Sequence, residues 1–469
     1  MTGEDKAAEQ DVSPAATLFV VSAVQFLTPF MFSAVGVALP TIGRVFDASA
    51  VQLSLVEAVY IFAVALLLLP SGRFADIHGR KRIFITGTVL ITVTTLILGL
   101  SQSIGFFIAF RFLQGAGAAM ITSTSIAILS SVFPPRRRGR AMGIIVACVY
   151  MGLSAGPTLA GVMITHLGWR WVFLAAVPLE LFALILTLTR LKGEWAEAHG
   201  ERFDWMGSAI YMAALFGLMF GAAHLKEMEA ARWIMGGGLL GMAVFLVVEA
   251  NTSSPVLDVR LLITNRPFTF SNIATWINYA ASFGVTFFFS IYLQTVRGFS
   301  PQTTGMILIV QPVIMAAFAP IAGRLSDAYP PGRIATIGMG LCAVGLAVAS
   351  SLDAEATLPM IFTVLGFLGL GFGFFSSPNT TAIMSSVTAR HYGVASSLVA
   401  TMRSVGMLTS MTVITVILTI YMGENAISPE TRMDFVASMQ TTLMIFSGLS
   451  VIGILFSMGR LNPALPEEG

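Results

Sequence analysis

The sequence predicts an all-α integral membrane protein with fourteen transmembrane helices, arranged as two pseudo-symmetric six-helix bundles plus two extra central helices. Three observations support this prediction: an apolar composition, a series of apolar runs of membrane-spanning length, and an internal repeat. Of the 469 residues, 56% are hydrophobic and 11% are charged, which leaves too little polar surface to cover a soluble globule. The net charge of +2 is nearly balanced, so nothing indicates nucleic acid binding. The expected environment is therefore the lipid bilayer.

Fourteen apolar runs have the length that a helix needs to cross a membrane. A hydrocarbon core of roughly 30 Å requires about 20 residues, and the need to bond every backbone group inside lipid favours helices. The runs and the polar segments between them predict five parts of the chain. These are a cytoplasmic N-terminal tail at 1–14, a six-helix bundle at 15–190, a linker with transmembrane helices seven and eight at 191–267, a second six-helix bundle at 268–459, and a cytoplasmic tail at 460–469.

The distribution of Lys and Arg predicts the orientation of these spans. If the N-terminus is inside the cell, 18 of the 26 basic residues lie in cytoplasmic segments and six lie in the opposite loops. The remaining two, Arg111 and Arg403, lie inside spans. Because basic residues collect on the cytoplasmic side, both termini are predicted to be cytoplasmic, in a multi-pass protein of the cell inner (plasma) membrane.

A charged segment after the second span has a counterpart in the second half of the chain. The first segment, Gly72–Arg82, reads GRFADIHGRKR, and Gly323–Arg333, after the tenth span, reads GRLSDAYPPGR. A second pair of similar segments shows the same spacing: RRRGRAMG lies at the start of the fifth span, and ARHYGVAS lies at the start of the thirteenth. Equivalent helices are therefore eight apart, which leaves two extra helices between the halves. Parallel repeats of this kind are typical of carriers with a midplane substrate site.

Further motifs lie along nearly the whole chain: RFLQGAGAAM in span four, GLSAGPTLAG in span five, then WRWVFLAAVPLE, FDWMGS, YLQTVRGFSP and SSPNTTAIMSSV. Together with the loop after span two, they resemble the motifs of the major facilitator superfamily, specifically its fourteen-span drug:proton antiporter group. The resemblance implies proton-coupled export of lipophilic or amphipathic compounds by alternating access. The sequence departs from the family where Met31 replaces a usual acid, and where Ala176 and Glu180 replace the usual Asn and Gly of span six.

The resemblance also implies two gating motifs. The loop after span two would stabilise the outward-open state, with Asp76 pairing with helix ends and charges of the other half. Span five would pack closely through small residues, with a kink at its proline. The predicted gating residues are Gly72, Arg73, Asp76, Gly79, Arg80, Gly152, Gly156, Pro157, Gly161 and Asp327. The alternatives are a topology signal for the loop and ordinary helix packing for span five.

Ionisable residues inside the hydrocarbon are costly and are therefore functional candidates. Proton coupling is predicted to use Glu180, near the midplane, with Glu57 as the second candidate. Arg111 would compete with the proton for the charged carboxylate. Arg111 and Gln114 share one helix face at i and i+3, as they must in order to reach a neighbouring helix together. A static buried ion pair is the alternative for Arg111.

The predicted substrate site mixes aromatic, amide and charged side chains on faces of several spans. Such a lining suits bulky amphipathic molecules, which are held by adaptable apolar contacts and a few hydrogen bonds. The candidate contacts are Gln25, Thr28, Phe32, Gln114, Asn272, Trp276, Tyr279 and Arg403. Ordinary helix packing is the alternative for each of these residues taken alone, and for Arg403 a static role.

The sequence gives no indication of catalysis. The five His residues lie in loops or at span ends, outside any HExxH motif or triad, and no P-loop is present. The two Cys residues have no metal-ligand spacing. We therefore expect a monomeric transporter, not an enzyme, that binds a small-molecule substrate and protons and needs neither cofactor nor metal. The alternatives are a proton-coupled symporter for uptake and a non-transporting, facilitator-like sensor.

Overall fold

The computed structural model describes residues 13–48, 50–223, 228–299, 301–422 and 432–459. All regular structure within these ranges is helical. Twelve helices in the described residues are long and apolar enough to cross a membrane. Most of the predicted N-terminal tail, residues 1–12, and the whole predicted C-terminal tail at 460–469 lie outside the described residues.

The first half of the chain folds as long apolar helices joined by short turns. Ser13 caps the first helix by accepting a hydrogen bond from the backbone N–H of Ala16, and Pro14 begins that helix. The second and third helices are separated only by Gly79, whose φ of 114° is open to glycine but strained for other residues. The helices are α1 (Pro14–Phe46), α2 (Ala50–His78), α3 (Arg80–Gly99), α4 (Ile104–Val132), α5 (Pro135–His166), α6 (Arg170–Leu174) and α7 (Ala176–Arg190).

The rest of the chain adds eleven helices within the described residues. These are α8 (Trp205–Ala223), α9 (Ala231–Asn251), α10 (Val259–Thr264), α11 (Arg266–Ser282), α12 (Val285–Ile291), α13 (Pro301–Leu308), α14 (Val310–Ala328), α15 (Pro331–Ala349), α16 (Leu358–Ser385), α17 (Tyr392–Met422) and α18 (Arg432–Gly459). A π-helical turn, Tyr292–Val296, follows α12.

Two of the fourteen predicted spans, the seventh and the ninth, are not among the twelve helices that are long and apolar enough to cross a membrane. The seventh corresponds to α8, whose apolar part, Trp205–Gly221, is shorter than the other spans. The ninth, predicted as one helix at 268–293, is interrupted between α11 and α12. The break lies at Phe283 and Gly284, and the sequence did not predict it because the apolar run continues through these residues. The number of fourteen spans therefore stays a prediction.

Both halves of the chain repeat one packing pattern, eight predicted spans apart. In the first half α4 packs against α2 and α3, and in the second half α16 packs against α14 and α15. These are the helices on which the two charged segments of the repeat lie. The helical packing therefore agrees with the internal repeat that the sequence indicates.

Contacts group the described helices into two compact units that do not follow chain order. The first unit contains the described residues up to 132 with 157–265 and 387–401, and the second contains 133–156, 266–386 and the described residues from 402 onward. Two helices are divided between the units, α5 between Gly156 and Pro157 and α17 between Thr401 and Met402. The predicted bundles at 15–190 and 268–459 stay predictions.

Large apolar side chains cover much of the outer surface of these helices. On α9, for example, Leu240 is 68% exposed and Val247 is 64% exposed. Water would make such a surface unfavourable, whereas lipid chains solvate it. In the second unit, by contrast, Phe288, Phe289 and Phe435 belong to a fully buried apolar cluster. Against these apolar surroundings, the buried polar groups define the candidate site.

Candidate functional site

A line of side-chain hydrogen bonds connects Arg111 of α4 with Glu180 of α7 inside the first unit. The Arg111 Nη1 atom donates to Gln114 Oε1 at 2.7 Å, and Gln114 Nε2 donates to Thr95 Oγ1 at 2.9 Å. Thr95 of α3 in turn donates to Glu180 Oε1 at 3.1 Å. All four side chains are buried. Two intervening groups therefore link a fixed positive charge to a carboxyl group, as the shared face of Arg111 and Gln114 allows.

The guanidinium group of Arg111 is held by α2 as well. Its Nε donates to the backbone oxygen of Val56 at 3.2 Å, and its Cζ lies 4.3 Å from the centre of the Tyr60 ring. Phe32 of α1 stacks on Tyr60, with 5.4 Å between the two ring centres. Nη2 has no hydrogen-bond partner among the described residues. Arg111 thus keeps one free donor in an apolar setting.

Glu180 combines one bonded oxygen with one that has no partner among the described residues, Oε2. Beside it lies a small cavity of about 10 Å³, the space that one water molecule needs. Thr28, Thr88 and Thr92 contribute to the cavity lining. Each of these hydroxyls donates to a backbone oxygen of its own helix, which leaves its oxygen as an acceptor. The carboxyl group therefore has polar surroundings that suit either a proton or a negative charge.

The other predicted carboxylate, Glu57, has no hydrogen bond to this line among the described residues, but its charge interacts with that of Arg111. It is half-buried beside α1, where a Cβ added to Gly36 would come within 2.8 Å of Glu57 Oε1. Gln25, predicted as a substrate contact, is buried on α1. The structure brings Thr28, Phe32 and Gln114 close to the Arg111 and Glu180 line. Glu57 meets the line through its charge interaction with Arg111 and not through a hydrogen bond.

The remaining predicted substrate contacts lie in the second unit, where Arg403 of α17 stands over an aromatic ring. Its Cζ lies 5.2 Å from the centre of the Tyr279 ring on α11. Trp276, one turn earlier, donates from Nε1 to Thr409 Oγ1 at 3.1 Å. Asn272 is buried and donates to the backbone oxygen of Phe268 in its own helix at 2.9 Å. Of the three predicted contacts on α11, Tyr279 therefore meets Arg403, while Asn272 is hydrogen-bonded within its own helix.

The segment after α2 forms a compact polar contact with the start of α17, and we call it the first latch: Asp76, Gly72, Gly393 and Val394. Both carboxylate oxygens of Asp76 accept backbone N–H groups, Oδ1 from Gly393 at 3.1 Å and Oδ2 from Val394 at 3.2 Å. These donors belong to the first turn of the helix, where N–H groups have no partner within the helix and attract negative charge. Asp76 therefore caps the start of α17.

Arg80 completes the first latch from the beginning of α3. Its Nε donates to Asp76 Oδ1 at 2.8 Å, and both side chains are fully buried. The same guanidinium donates from Nη1 to Ser131 Oγ at 2.7 Å and from Nη2 to the backbone oxygen of Ala389 at 2.6 Å. Because one arginine bonds three chain segments, the latch is a network and more than a single ion pair.

The linker between α7 and α8 also takes part in the first latch. Its Glu201 pairs with Arg73 of α2 and with Arg390 just before α17, each at 2.5 Å. Burial opposes the charged carboxylate, but the hydrogen bond and charge of Arg73, together with Arg390, hold the pKa of Glu201 below its usual range. Backbone bonds from Ala198 to Asp76 and from Arg80 to Trp195 add further contacts. The predicted charged linker is thus a structural part of the latch.

The second charged segment makes an equivalent contact inside the second unit, and we call it the second latch: Asp327, Gly323, Gly139 and Arg140. Asp327 Oδ1 accepts from the Gly139 N–H at 2.8 Å, and Oδ2 accepts from the Arg140 N–H at 3.0 Å. These donors belong to RRRGRAMG, the counterpart of ARHYGVAS in the sequence repeat. Asp76 in the first half of the sequence therefore contacts ARHYGVAS of the second half, and Asp327 in the second half contacts RRRGRAMG of the first half.

Glycine allows the helices to approach closely at both latches. A Cβ added to Gly72 would come within 2.6 Å of the backbone oxygen of Gly393. In the second latch, a Cβ on either Gly139 or Gly323 would overlap the backbone oxygen of the other. Side chains at these positions would therefore separate the helix backbones. The four glycines occupy equivalent places in the repeat.

The glycine-rich motif of α5 packs less uniformly than predicted. Gly152 and Gly156 are buried, whereas Pro157 is exposed. Around Gly161, a Cβ would meet no atom within 4 Å. The described residues therefore show no close contact at Gly161, and its gating role stays a prediction. The division of α5 between the two units falls within this motif, just before Pro157.

Three functional candidates escaped the sequence analysis: Thr95, Glu201 and Arg390. Thr95 is one of several threonines in α3, and nothing in their spacing distinguishes the one that faces Gln114. Glu201 and Arg73 are 128 residues apart, so their pairing leaves no local pattern. The clustering of charges in LKGEWAEAHGERFD was the available signal.

Potential metal ligands are scattered in this protein. In the part of the chain that the structure describes, no three His, Cys, Asp or Glu side chains form a group that could hold a metal ion. Neither Cys148 nor Cys342 takes part in a disulfide among the described residues.

The apolar helices, the repeated packing and the buried polar networks are those of a multi-pass membrane transporter. The chain belongs to the Major Facilitator Superfamily, which it matches over residues 21–411 and again over 271–468. Members of this family are transporters, and the all-helical fold and the location in a membrane follow from that membership.

Individual relatives and a solved structure agree with this assignment. The chain is similar to the riboflavin transporter RibZ of Clostridioides difficile (strain 630), with 28% identity over 390 residues, 82% of this chain and 84% of the relative. It is 29% identical over 382 residues to the multidrug resistance protein Stp of Mycobacterium tuberculosis (strain CDC 1551 / Oshkosh), which covers 79% of this chain and 70% of the relative. The crystal structure of the human organic anion transporter MFSD10 (TETRAN) superposes with a TM-score of 0.69 at 13% identity, covering 95% of this chain and 99% of that one. The latter likeness concerns the fold alone.

Proposed function

We propose that the protein is a fourteen-span, proton-coupled antiporter that exports lipophilic or amphipathic small molecules by alternating access. The observation that supports this proposal most directly is the hydrogen-bonded line from Arg111 through Gln114 and Thr95 to Glu180. An exchanger needs a group whose protonation competes with substrate, and a buried carboxyl group connected to a fixed positive charge meets that need.

The proposed proton step uses Glu180. Protonation would place a proton on the carboxyl group in the state that opens to the more acidic side. In the state that opens to the other side, polarisation through Thr95 and Gln114 by Arg111 would favour the carboxylate and release the proton. The free Oε2 atom of Glu180 and the adjacent cavity give that proton a place to enter and leave. Glu57, half-buried on α2, would have the smaller role.

The proposed gating step uses the two latches. We expect both to be formed in the outward-open state and to separate when the cytoplasmic gate opens. Each latch joins a segment of one sequence half to a segment of the other, and each relies on backbone contacts that a small displacement would break. Pro157, at the boundary of the two contact units, provides a place where α5 can bend.

The names of the relatives support small-molecule transport and suggest two kinds of substrate. One relative is named for multidrug resistance and another for riboflavin. Export of drug-like compounds fits the aromatic and apolar lining around Tyr279 and Trp276. Uptake by proton symport is the second candidate function, because a transporter named for a vitamin is among the relatives. A non-transporting sensor would bind substrate without moving it.

Transport in inside-out membrane vesicles separates these possibilities. With an acidic vesicle lumen, a proton-coupled exporter accumulates the dye rhodamine 123 inside, and dissipating the proton gradient releases it. A symporter for uptake would move dye out of the lumen, and a sensor would leave its distribution unchanged. We expect E180Q to abolish gradient-driven accumulation while retaining dye binding, and E57Q to reduce accumulation less.

The matched control is E355Q, because Glu355 is exposed and lies outside both sites. This variant should accumulate dye like the unmodified protein. Normal gradient-driven accumulation by an E180Q/E57Q double variant would overturn the assignment of proton coupling to these carboxylates.

A further inference from the structure

Arg403 is a positive charge within α17 for which the second unit supplies no carboxylate inside a membrane span. The described acidic residues of that unit lie at helix ends or in loops: Asp327, Asp353, Glu355 and Asp434. A charged group in the hydrocarbon region is costly unless a counter-charge or polar partner accompanies it. Arg403 therefore differs from Arg111, which is engaged with Gln114 and with the Glu180 line.

The contacts of Arg403 leave its hydrogen-bonding capacity unused. Its guanidinium makes a cation–π contact with Tyr279, but no hydrogen bond or ion pair joins it to any residue that the structure describes. Its buried Nε atom has no acceptor among those residues. Because a guanidinium offers five donors in a fixed planar arrangement, Arg403 presents an unsatisfied binding group for an anion.

Aromatic and hydroxyl groups surround this cation within the second unit. Tyr150 of α5 is buried, and its hydroxyl lies close enough to Tyr279, Ser376 and Arg403 to interact with them electrostatically. Trp276 lies on the same helix as Tyr279 and is 37% exposed. The site thus offers one cation, hydroxyl donors and flat apolar surfaces. That combination fits a molecule with an aromatic body and an acidic substituent.

We infer that Arg403, with Tyr150 and Tyr279, binds the negatively charged group of an amphipathic aromatic substrate, a carboxylate or sulfonate. This inference rests on the proposed transport function and narrows its substrate class. The substrate anion supplies the counter-charge that the second unit lacks. Proton exchange stays with Glu180 in the first unit. Arg403 therefore binds the charge of the substrate, whereas Arg111 acts on the carboxyl group that carries the proton.

A pair of dyes that differ only at one acidic group tests this subsite. Rhodamine 110 carries a free carboxylate, and rhodamine 123 is its methyl ester. Fluorescence anisotropy with the purified full-length protein in lipid nanodiscs measures the affinity for each dye. We expect the unmodified protein to bind rhodamine 110 about tenfold more tightly or better, since a charge-assisted hydrogen bond contributes roughly 1.5–3 kcal/mol.

Three variants make the test specific. R403Q should lose the preference for the carboxylate dye while binding rhodamine 123 as before, which also shows that it is folded. R403K should retain most of the preference, because it keeps the charge. R232Q, which removes an exposed arginine elsewhere, should behave like the unmodified protein.

Equal binding of the two dyes by the unmodified protein, or an unchanged preference in R403Q, would overturn the inference. The vesicle assay keeps this failure separate from failure of the proposed function. If rhodamine 123 accumulates with the proton gradient but the carboxylate preference is absent, only the anion subsite is wrong. If neither dye moves with the gradient, the transport proposal fails, while the binding comparison still decides the role of Arg403.

Discussion

The first and second latches make the same backbone contact in different electrostatic surroundings. Asp76 and Asp327 each accept two consecutive backbone N–H groups, and each lies opposite a pair of closely packed glycines. Asp76, however, is fully buried and bonded to the fully buried Arg80. Asp327 is half-exposed. The repeat has therefore kept the glycines and the carboxylate, while the charged network belongs to the first latch.

This difference predicts that the two latches contribute unequally to the closed gate. Removing the charge of Asp76 would leave Arg80 buried without its carboxylate, whereas removing that of Asp327 would weaken two hydrogen bonds near solvent. Breaking a buried ion pair costs about 3–5 kcal/mol, and an ordinary hydrogen bond contributes about 1 kcal/mol. The first latch should therefore dominate.

The largest expected effect is that of D76N compared with D327N. Two buried serines serve as matched reporters: Ser396 donates to the Thr122 backbone oxygen beside the first latch, and Ser377 donates to the Gly139 backbone oxygen beside the second. In a background without native cysteines, S396C and S377C are alkylated with maleimide. We expect D76N to raise the S396C rate about 100-fold or more, and D327N to raise the S377C rate about fivefold.

E355Q is the control for both measurements and should leave both rates unchanged. Equal increases at the two reporters would contradict the difference between the latches. Unchanged rates with full transport in D76N would reduce the loop after α2 to a topology signal.

A smaller effect is expected from Glu201, which lies at the edge of the first latch. E201Q removes the ion pairs with Arg73 and Arg390, whose shared carboxylate is partly open to solvent, so the S396C alkylation rate should rise only about two- to fivefold. Because the folded pKa of Glu201 is below its usual range, its contribution is complete above the ordinary carboxyl pKa of about 4.3 and is lost as pH falls through the folded value.

The ratio of E201Q to unmodified alkylation rates should therefore be constant between about pH 6 and 8, since the carboxylate stays charged there. Taking a ratio cancels the pH dependence of the thiol itself. A ratio that changes within this range would show that another titrating group controls the contact.

The sequence predicted the latches better than the networks around them. The Gly and Asp pattern near Asp76 repeats near Asp327, and a carboxylate at a helix start can bond the free backbone N–H groups there. The positions of the two Asp residues in the sequence therefore indicated where the contacts would form. Glu201 and Thr95 gave no such pattern, because their partners come from distant segments. The break between α11 and α12 was invisible because hydrophobicity reports burial in lipid and not the regularity of a helix.

The intramembrane arginines extend the comparison between the two units. Arg111 belongs to a line that ends at a carboxyl group, whereas Arg403 faces tyrosines and has no acidic partner among the described residues of its own unit. The sequence placed both inside spans and assigned Arg111 to proton coupling and Arg403 to substrate contact, but it could not show which side chains each guanidinium meets. The difference is the reason for assigning proton exchange to the first unit and anion binding to the second.

Proton release on substrate binding tests the central claim, which is that Glu180 exchanges a proton for substrate. Purified protein in weakly buffered detergent solution is mixed with rhodamine 123, and a pH-sensitive dye records the change. The unmodified protein and E355Q should release protons on binding, whereas E180Q should bind the dye and release none. Equal proton release by E180Q and the unmodified protein would contradict the account.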